Sequence, residues 1–289
     1  MKYEKLRFGD IMQSSILFYD KEIEAACVDI CNYLKIDKLP SISGKVYYEK
    51  TSSGFVERDI EPGSVVLIND SIFSENALIK FEENLHNVLF VFEENNFVGV
   101  VHVSDYNRDI VIQNIQDDIL NFERKLRQFL IFKGLQNADM LNFYKLKYEK
   151  KKEEFWKGKV NNYLKKEKEI DSFGPFQLFD FSDLLNLIQS KSSNSGYLFR
   201  NTENLRILRN MAMHGKDPIS KNMETSIYSI QTLRSLYDKL DNLKFEYFKI
   251  LNLNRNNSDY LKSIELENRS KLEIIHNHHP RALEYFLGL

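Results

Sequence analysis

Cysteine is nearly absent from this chain. Only Cys27 and Cys31 occur among 289 residues, four apart on one expected helix. That excludes a disulfide framework, and no partner ligands lie close in sequence, so both read as buried reduced thiols rather than a metal pair. Five prolines and 11 glycines are also few, which excludes a collagen-like or low-complexity chain. No run of about 18 apolar residues exists, so no spanning helix is expected. Met1-Lys2-Tyr3-Glu4-Lys5 has no apolar signal region. A cytoplasmic protein without a membrane partner is the expectation.

What is present is ordinary for globular protein, at 43% hydrophobic and 28% charged, with length enough for two domains. The net charge of −2 hides an asymmetry. Residues 1–120 carry 11 Lys and Arg against 21 Asp and Glu, a balance of −10. The totals of 40 and 42 leave 29 and 21 for residues 121–289, a balance of +8. Only the second half is electrostatically suited to a polyanion.

The first half reads as two weak copies of one unit. The first runs from Gly9-Asp10-Ile11-Met12 through Ser14-Ser15-Ile16-Leu17-Phe18, then a helix over Glu22 to Leu34, Leu39-Pro40, and a strand-like Lys45-Val46-Tyr47-Tyr48. The second runs from Val65 to Asp70 through Ser71-Ile72-Phe73, then a helix over Glu75 to Leu85. Val88 to Phe92 and Phe97 to Val103 then flank Glu93-Glu94-Asn95-Asn96, which reads as a hairpin. Each copy thus reads strand, helix, strand, strand.

This pattern resembles a tandem pair of CBS domains over roughly residues 8–116. Asp10-Ile11-Met12 is similar to the opening of a first copy. Gly99-Val100-Val101-His102-Val103-Ser104-Asp105 is similar to the stretch that ends in a ribose-contacting Asp. The resemblance implies an adenine nucleotide as regulatory ligand, held by Asp105, Ser104 and His102. The family usually has Thr or Ser where His102 stands, and Thr51-Ser52-Ser53-Gly54 interrupts the last strand of the first copy. The alternative for Ser104 and Asp105 is helix capping.

From about Asp117 the pattern becomes helical. Ile115, Ile119, Phe122, Leu126, Phe129 and Leu130 recur at three-to-four spacing. Met140 to Lys168 reads as one long helix or two, with ten lysines between Lys145 and Lys168. These lysines suit either a phosphate-tracking face or a solvated helix laced with Glu149, Glu153, Glu154 and Glu167. Phe181 to Ile188 reads as a helix with Ser182 and Asp183 as candidate caps, and Ser190 to Gly196 as a polar loop. Asn201 to Met213 ends at Gly215 with Pro218 beyond it. Met223 to Leu251 reads as a long final helix.

That late helix carries Arg209-Asn210-Met211-Ala212-Met213-His214. Arg forks onto phosphate oxygens, and His moves a proton near neutral pH. An all-α segment with Arg-Asn-x-x-x-His resembles the HEPN superfamily over roughly residues 117–250. Asn121-Phe122-Glu123-Arg124-Lys125-Leu126-Arg127 is similar to the first helix of many members, with Glu123 and Arg127 as supporting residues. Phe179-Asp180-Phe181-Ser182-Asp183 is similar to the segment before the motif helix.

The resemblance implies a metal-independent endoribonuclease, a hydrolase of toxin-like growth arrest or antiviral defence. Arg209 would hold the scissile phosphate, His214 would move the proton, and Asn210 would orient either. Catalysis would need no cofactor. Expected partners are an RNA substrate, a second copy of the chain and an antitoxin or defence-system protein. Residues five apart on a helix are separated by about 140° and about 7.5 Å, so a regular helix implies a composite site across a symmetric dimer. Two alternatives stay open: a cation and an imidazole that merely suit a helix C-terminus, and a non-catalytic HEPN module that binds RNA or protein. His276-Asn277-His278-His279 has only Glu273 as a nearby carboxylate, so no metal site is expected.

The expected fold is therefore α+β: a tandem CBS-like βαββα module over residues 1–116, then an all-α HEPN-like helical bundle over 117–289.

Overall fold

The apolar runs around Asn95-Asn96 form the hairpin that organises the first part of the chain. The computed structural model describes residues 1–34, 36–83, 87–191, 199–223 and 228–267, without the side chains of residue 34 and residues 255–267. Strands β1 (Lys38–Pro40), β2 (Val46–Thr51) and β3 (Gly54–Asp59) form one sheet, in that order and antiparallel throughout. Strands β4 (Val65–Leu67), β5 (Val88–Glu93) and β6 (Asn96–His102) form the second. There β4 runs parallel to β5, and β5 antiparallel to β6. The connection from β4 to β5 passes through helix α3 (Glu75–Glu83), as a parallel pair requires. The second copy thus has the expected strand, helix, strand, strand order.

The first copy does not. Its expected opening strand is instead the short helix α1 (Phe8–Ile11) followed by an isolated bridge from Gln13 to Val100. Gln13 exchanges both backbone hydrogen bonds with Val100, at 2.8 and 3.1 Å, along the outer edge of β6. Gly99 permits this approach, because a Cβ there would stand 2.8 Å from the Gln13 carbonyl. Helix α2 (Glu24–Leu34) lies before β1, and Thr51 to Gly54 is the hairpin turn between β2 and β3 rather than an interruption. Cys27 and Cys31 are fully buried and free, packed with Leu39 against Leu17, Tyr19 and Phe55.

Every later described helix or strand is helical: α4 (Asp109–Phe132), α5 (Asn137–Lys151), α6 (Glu154–Ser172), α7 (Phe181–Ser190), α8 (Thr202–Met213) and α9 (Ile230–Glu267). The lysine-rich stretch is two helices, because Lys152 takes a left-handed conformation (φ 56°) that closes α5. The final helix starts at Ile230 rather than Met223. Residues 192–196 of the expected polar loop, and His276 to His279, lie outside the described residues.

Two compact units emerge: Met1–Asp118 with Leu208–Leu240, and Ile119–Ile207 with Asp241–Leu289. In the first, polar pins fasten segment 208–240 to the loop after β4 and to the turn after β6. Tyr106 and Tyr237 both donate to the Ile72 carbonyl. Asn107 and Ile219 exchange two hydrogen bonds at 2.9 and 2.7 Å. Asp118 accepts from the Lys2 and Tyr3 amides, each at 2.9 Å, and burial pushes its carboxyl pKa up.

The second unit packs α5, α6 and α7 around Met140, Phe143, Tyr144, Trp156, Tyr163, Leu184 and Leu187. Buried Glu246 accepts from the Arg200 amide at 2.5 Å, and buried Asn242 donates to the Asn201 carbonyl at 2.8 Å.

Candidate functional site

The motif residues lie at the C-terminal end of α8. Leu205, Leu208 and Ala212 recur at helical spacing and are buried, which fixes the face the helix turns inward. Asn201 starts the helix by accepting from the Asn204 amide at 3.0 Å.

The far end is a Schellman cap. Lys216 donates to the Met211 carbonyl at 3.0 Å, Gly215 donates to Ala212 at 3.4 Å, and Gly215 sits at φ 58°. His214 is the residue at which the helix stops, and its amide still donates to the Asn210 carbonyl at 3.2 Å. The helix is therefore regular from Arg209 to His214, and the two side chains leave it about 140° apart.

Asn210 and His214 are exposed, whereas Arg209 is half-buried. Arg209 Nη1 donates to Asn210 Oδ1 at 3.5 Å. Its Nε is buried without a hydrogen-bond partner among the described residues. A guanidinium with an unmet donor, joined to an amide and followed by an exposed imidazole, presents donors and a titratable group at one helix end. A guanidinium can hold an anion and an imidazole can move a proton, each on its own face of the helix.

The chain matches no protein-family model, no curated protein and no solved structure. The geometry of the residues themselves therefore carries the functional argument.

The three residues of the expected nucleotide site stand together at the end of β6 and in the 3-10 turn that follows it. His102 caps the 3-10 turn Val103–Asn107 through its side chain, and Asp105 reaches back to it. Ser104 N donates to His102 Nδ1 at 3.1 Å, and that nitrogen lies 2.7 Å from Ser104 Oγ. Buried Asp105 accepts from the His102 amide at 2.8 Å through Oδ2, and from Gln13 Nε2 at 2.9 Å and Arg108 Nε at 3.3 Å through Oδ1. Both carboxylate oxygens are engaged within the fold. Burial holds the His102 imidazole below its ordinary pKa, against Asp105 and Asp37, which push it up.

Glu123 and Arg127 lie in the second unit. They form a buried i,i+4 ion pair, and Arg127 also donates to the Phe176 carbonyl at 3.0 Å and to the Phe179 carbonyl at 3.4 Å. Phe176 holds φ 62°, and its amide donates to Asn137 Oδ1 at 2.8 Å. Arg127 and Asn137 thus hold a strained turn in place.

Sequence reasoning missed one cluster here. Lys159 Nζ bridges Asp180 at 3.1 Å and Asp183 at 2.8 Å. Burial alone would lower the Lys159 pKa, but the two carboxylates outweigh it and the net shift is upward. Burial, with Asp183 close by, pushes the Tyr144 hydroxyl well up. Asp183 therefore serves this network, and Asp180 stands at the N-cap of α7 without a side-chain capping bond. Nothing in the sequence separates Lys159 from its nine lysine neighbours in the 145–168 stretch.

Among the described residues, no group of three or more His, Cys, Asp or Glu could hold a metal, and no helix is long and apolar enough to cross a membrane.

Proposed function

We propose that the chain is a HEPN-type endoribonuclease that works as a dimer in toxin-like growth arrest or antiviral defence. The observation that carries this reading is the half-buried Arg209 guanidinium bonded to Asn210, about 1.4 helical turns before an exposed His214. The regular helix supports a composite site, in which two copies each contribute one motif.

In that site, one His214 takes the ribose 2′-OH proton. The 2′-oxygen attacks phosphorus, and the bond from phosphorus to the 5′-oxygen breaks. The second copy's His214 protonates the departing 5′-oxygen. Arg209 neutralises the phosphorane charge, and Asn210 holds a non-bridging oxygen or the imidazole. The products carry 2′,3′-cyclic phosphate and 5′-OH ends. Arg and His supply both the charge stabilisation and the proton transfer, so the reaction as proposed is metal-independent.

The test is incubation of single-stranded RNA with EDTA present, with the product ends mapped. The expected result is cleavage by the wild type, cyclic phosphate ends, no cutting of DNA of the same sequence, and loss of cleavage in His214→Ala. Equal cleavage by wild type and His214→Ala refutes the reading.

A second reading is favoured at the other site. Both Asp105 oxygens are engaged by Gln13, Arg108 and the His102 amide. That supports a CBS-like unit serving as a dimerisation scaffold rather than as a nucleotide sensor. The helical part would then be a non-catalytic module for RNA, or for an antitoxin or defence-system protein. An adenine nucleotide regulates the enzyme only if it binds two states of the dimer unequally. Titration with AMP and ATP separates the cases: heat of binding, with a change in cleavage rate, restores the sensor.

A further inference from the structure

We propose that the tip of the α5–α6 hairpin is a docking surface for single-stranded RNA. The choice of occupant rests on the endoribonuclease reading above, but the surface is argued from its own chemistry.

The connection between the two helices is only Lys152 and Glu153, so the helices turn back on each other. Their apolar faces are spent in that pairing: Phe143, Tyr144 and Trp156 are buried. What remains outside is a lysine-rich tip. Residues 145–157 hold six lysines and three glutamates. Glu153 and Glu154 pair with Lys151 and Lys157, at 3.7 and 3.2 Å. That leaves Lys145, Lys147, Lys150 and Lys152 facing a single Glu149, with none of the four in an ion pair among the described residues.

Apolar side chains stand among them. Phe155 is 61% exposed and Leu146 is 65% exposed. Lys147 lies 5.5 Å from the Phe143 ring centre, and Lys152 lies 5.6 Å from that of Tyr148.

Lysines interleaved with an exposed ring fit a strand whose bases are unstacked and whose phosphates are free. A duplex hides the base faces that Phe155 would meet. A membrane surface wants a broad apolar helix face below the lysines, whereas across residues 145–157 Leu146 and Phe155 are the exposed large apolar side chains.

The test uses full-length His214→Ala protein and a fluorescent 2′-O-methyl oligouridine, which is not cut, read by anisotropy between 50 and 200 mM NaCl. Four phosphate contacts give a log–log salt slope of about −3. The double variant Lys145→Gln/Lys150→Gln should make that slope about 1.4 less steep. Phe155→Ala should weaken binding about ten-fold, since stacking on an exposed ring contributes that much per base. Unaltered melting shows that the variants fold. Equal binding of the deoxyuridine strand supports the surface and widens its ligand to any single strand.

Affinity and slope unchanged in both variants overturn the inference, as does tighter binding to phosphatidylserine vesicles than to RNA. A wild type that binds through this tip but does not cut RNA overturns the endoribonuclease reading alone.

Discussion

Replacing Asp105 by Ala should loosen the chain where the N-terminal segment meets the second sheet. The carboxylate is 7% exposed. It accepts two short hydrogen bonds, from the His102 amide at 2.8 Å and from Gln13 Nε2 at 2.9 Å. The contact to Arg108 at 3.3 Å involves a guanidinium that is one-third exposed and adds little. Bonds to a charged acceptor contribute about 1.5–3 kcal/mol each. Part of that is returned, because Ala no longer carries the desolvation cost of a buried carboxylate. A net loss of about 3 kcal/mol follows, or roughly a hundred-fold in a local opening equilibrium. Amide hydrogen exchange at Gln13, Val100 and His102 reads it directly, since Gln13 and Val100 hold each other by two backbone bonds. Protection should fall by about two orders of magnitude at these amides. Asp105→Asn keeps one acceptor and should fall between. Protection unchanged within about three-fold would refute the reasoning and return the carboxylate to a ligand-binding role.

Three further outcomes are expected. Arg127→Ala leaves Glu123 as a buried unpaired carboxylate and frees the Phe176 turn. It should cost about 3–5 kcal/mol in denaturant unfolding, and Arg127→Lys should recover only part of that because it has no fork. The His102 pKa is depressed by burial, so its contribution to stability is complete above the unfolded value of about 6.5 and is lost as pH falls below it. Melting between pH 7.5 and 5 should therefore be less steeply pH-dependent in His102→Gln, and identical slopes would exclude the imidazole. Gly215→Ala places a Cβ at φ 58° in open space. The cost should be about 1 kcal/mol of strain at the helix end, visible as a lower melting temperature with no repacking.

The second sheet was legible because its signals are local. Val88 to Phe92 and Phe97 to Val103 are strand-sized, flank a turn, and follow a helix that supplies the crossover for a parallel pair. The opening of the first copy was misread for the opposite reason. Ser14 to Phe18 has strand composition, but the one ladder contact of this region, Gln13 to Val100, spans most of the module and leaves no local mark. The division into compact units is non-local in the same way. Leu208–Leu240 belongs with the sheets because Tyr237, Asn107 and Ile219 find partners more than 100 residues away.

The two candidate sites show what a sequence motif can and cannot carry. His102, Ser104 and Asp105 are adjacent, polar and follow a strand, which suits a ligand loop and a capping turn equally. The decision depends on whether Asp105 has a free oxygen, and that depends on Gln13, which is 92 residues away. At Arg209 and His214 the spacing alone already stated the geometry, because five residues of helix fix an angle and a rise. The Schellman cap at Gly215 then removes the one local escape, a break in the helix before His214. For Arg209 to hold a phosphate on which a His214 moves a proton, as proposed, the imidazole has to come from a second copy. A mixture of wild-type and His214→Ala proteins is the decisive case: the site as proposed needs one His214 as base and the second copy's as acid, so mixed dimers should be inactive and an equal mixture should keep about half the cleavage of the wild type present. Cleavage undiminished after subunit exchange has been verified would show that one copy's motif suffices.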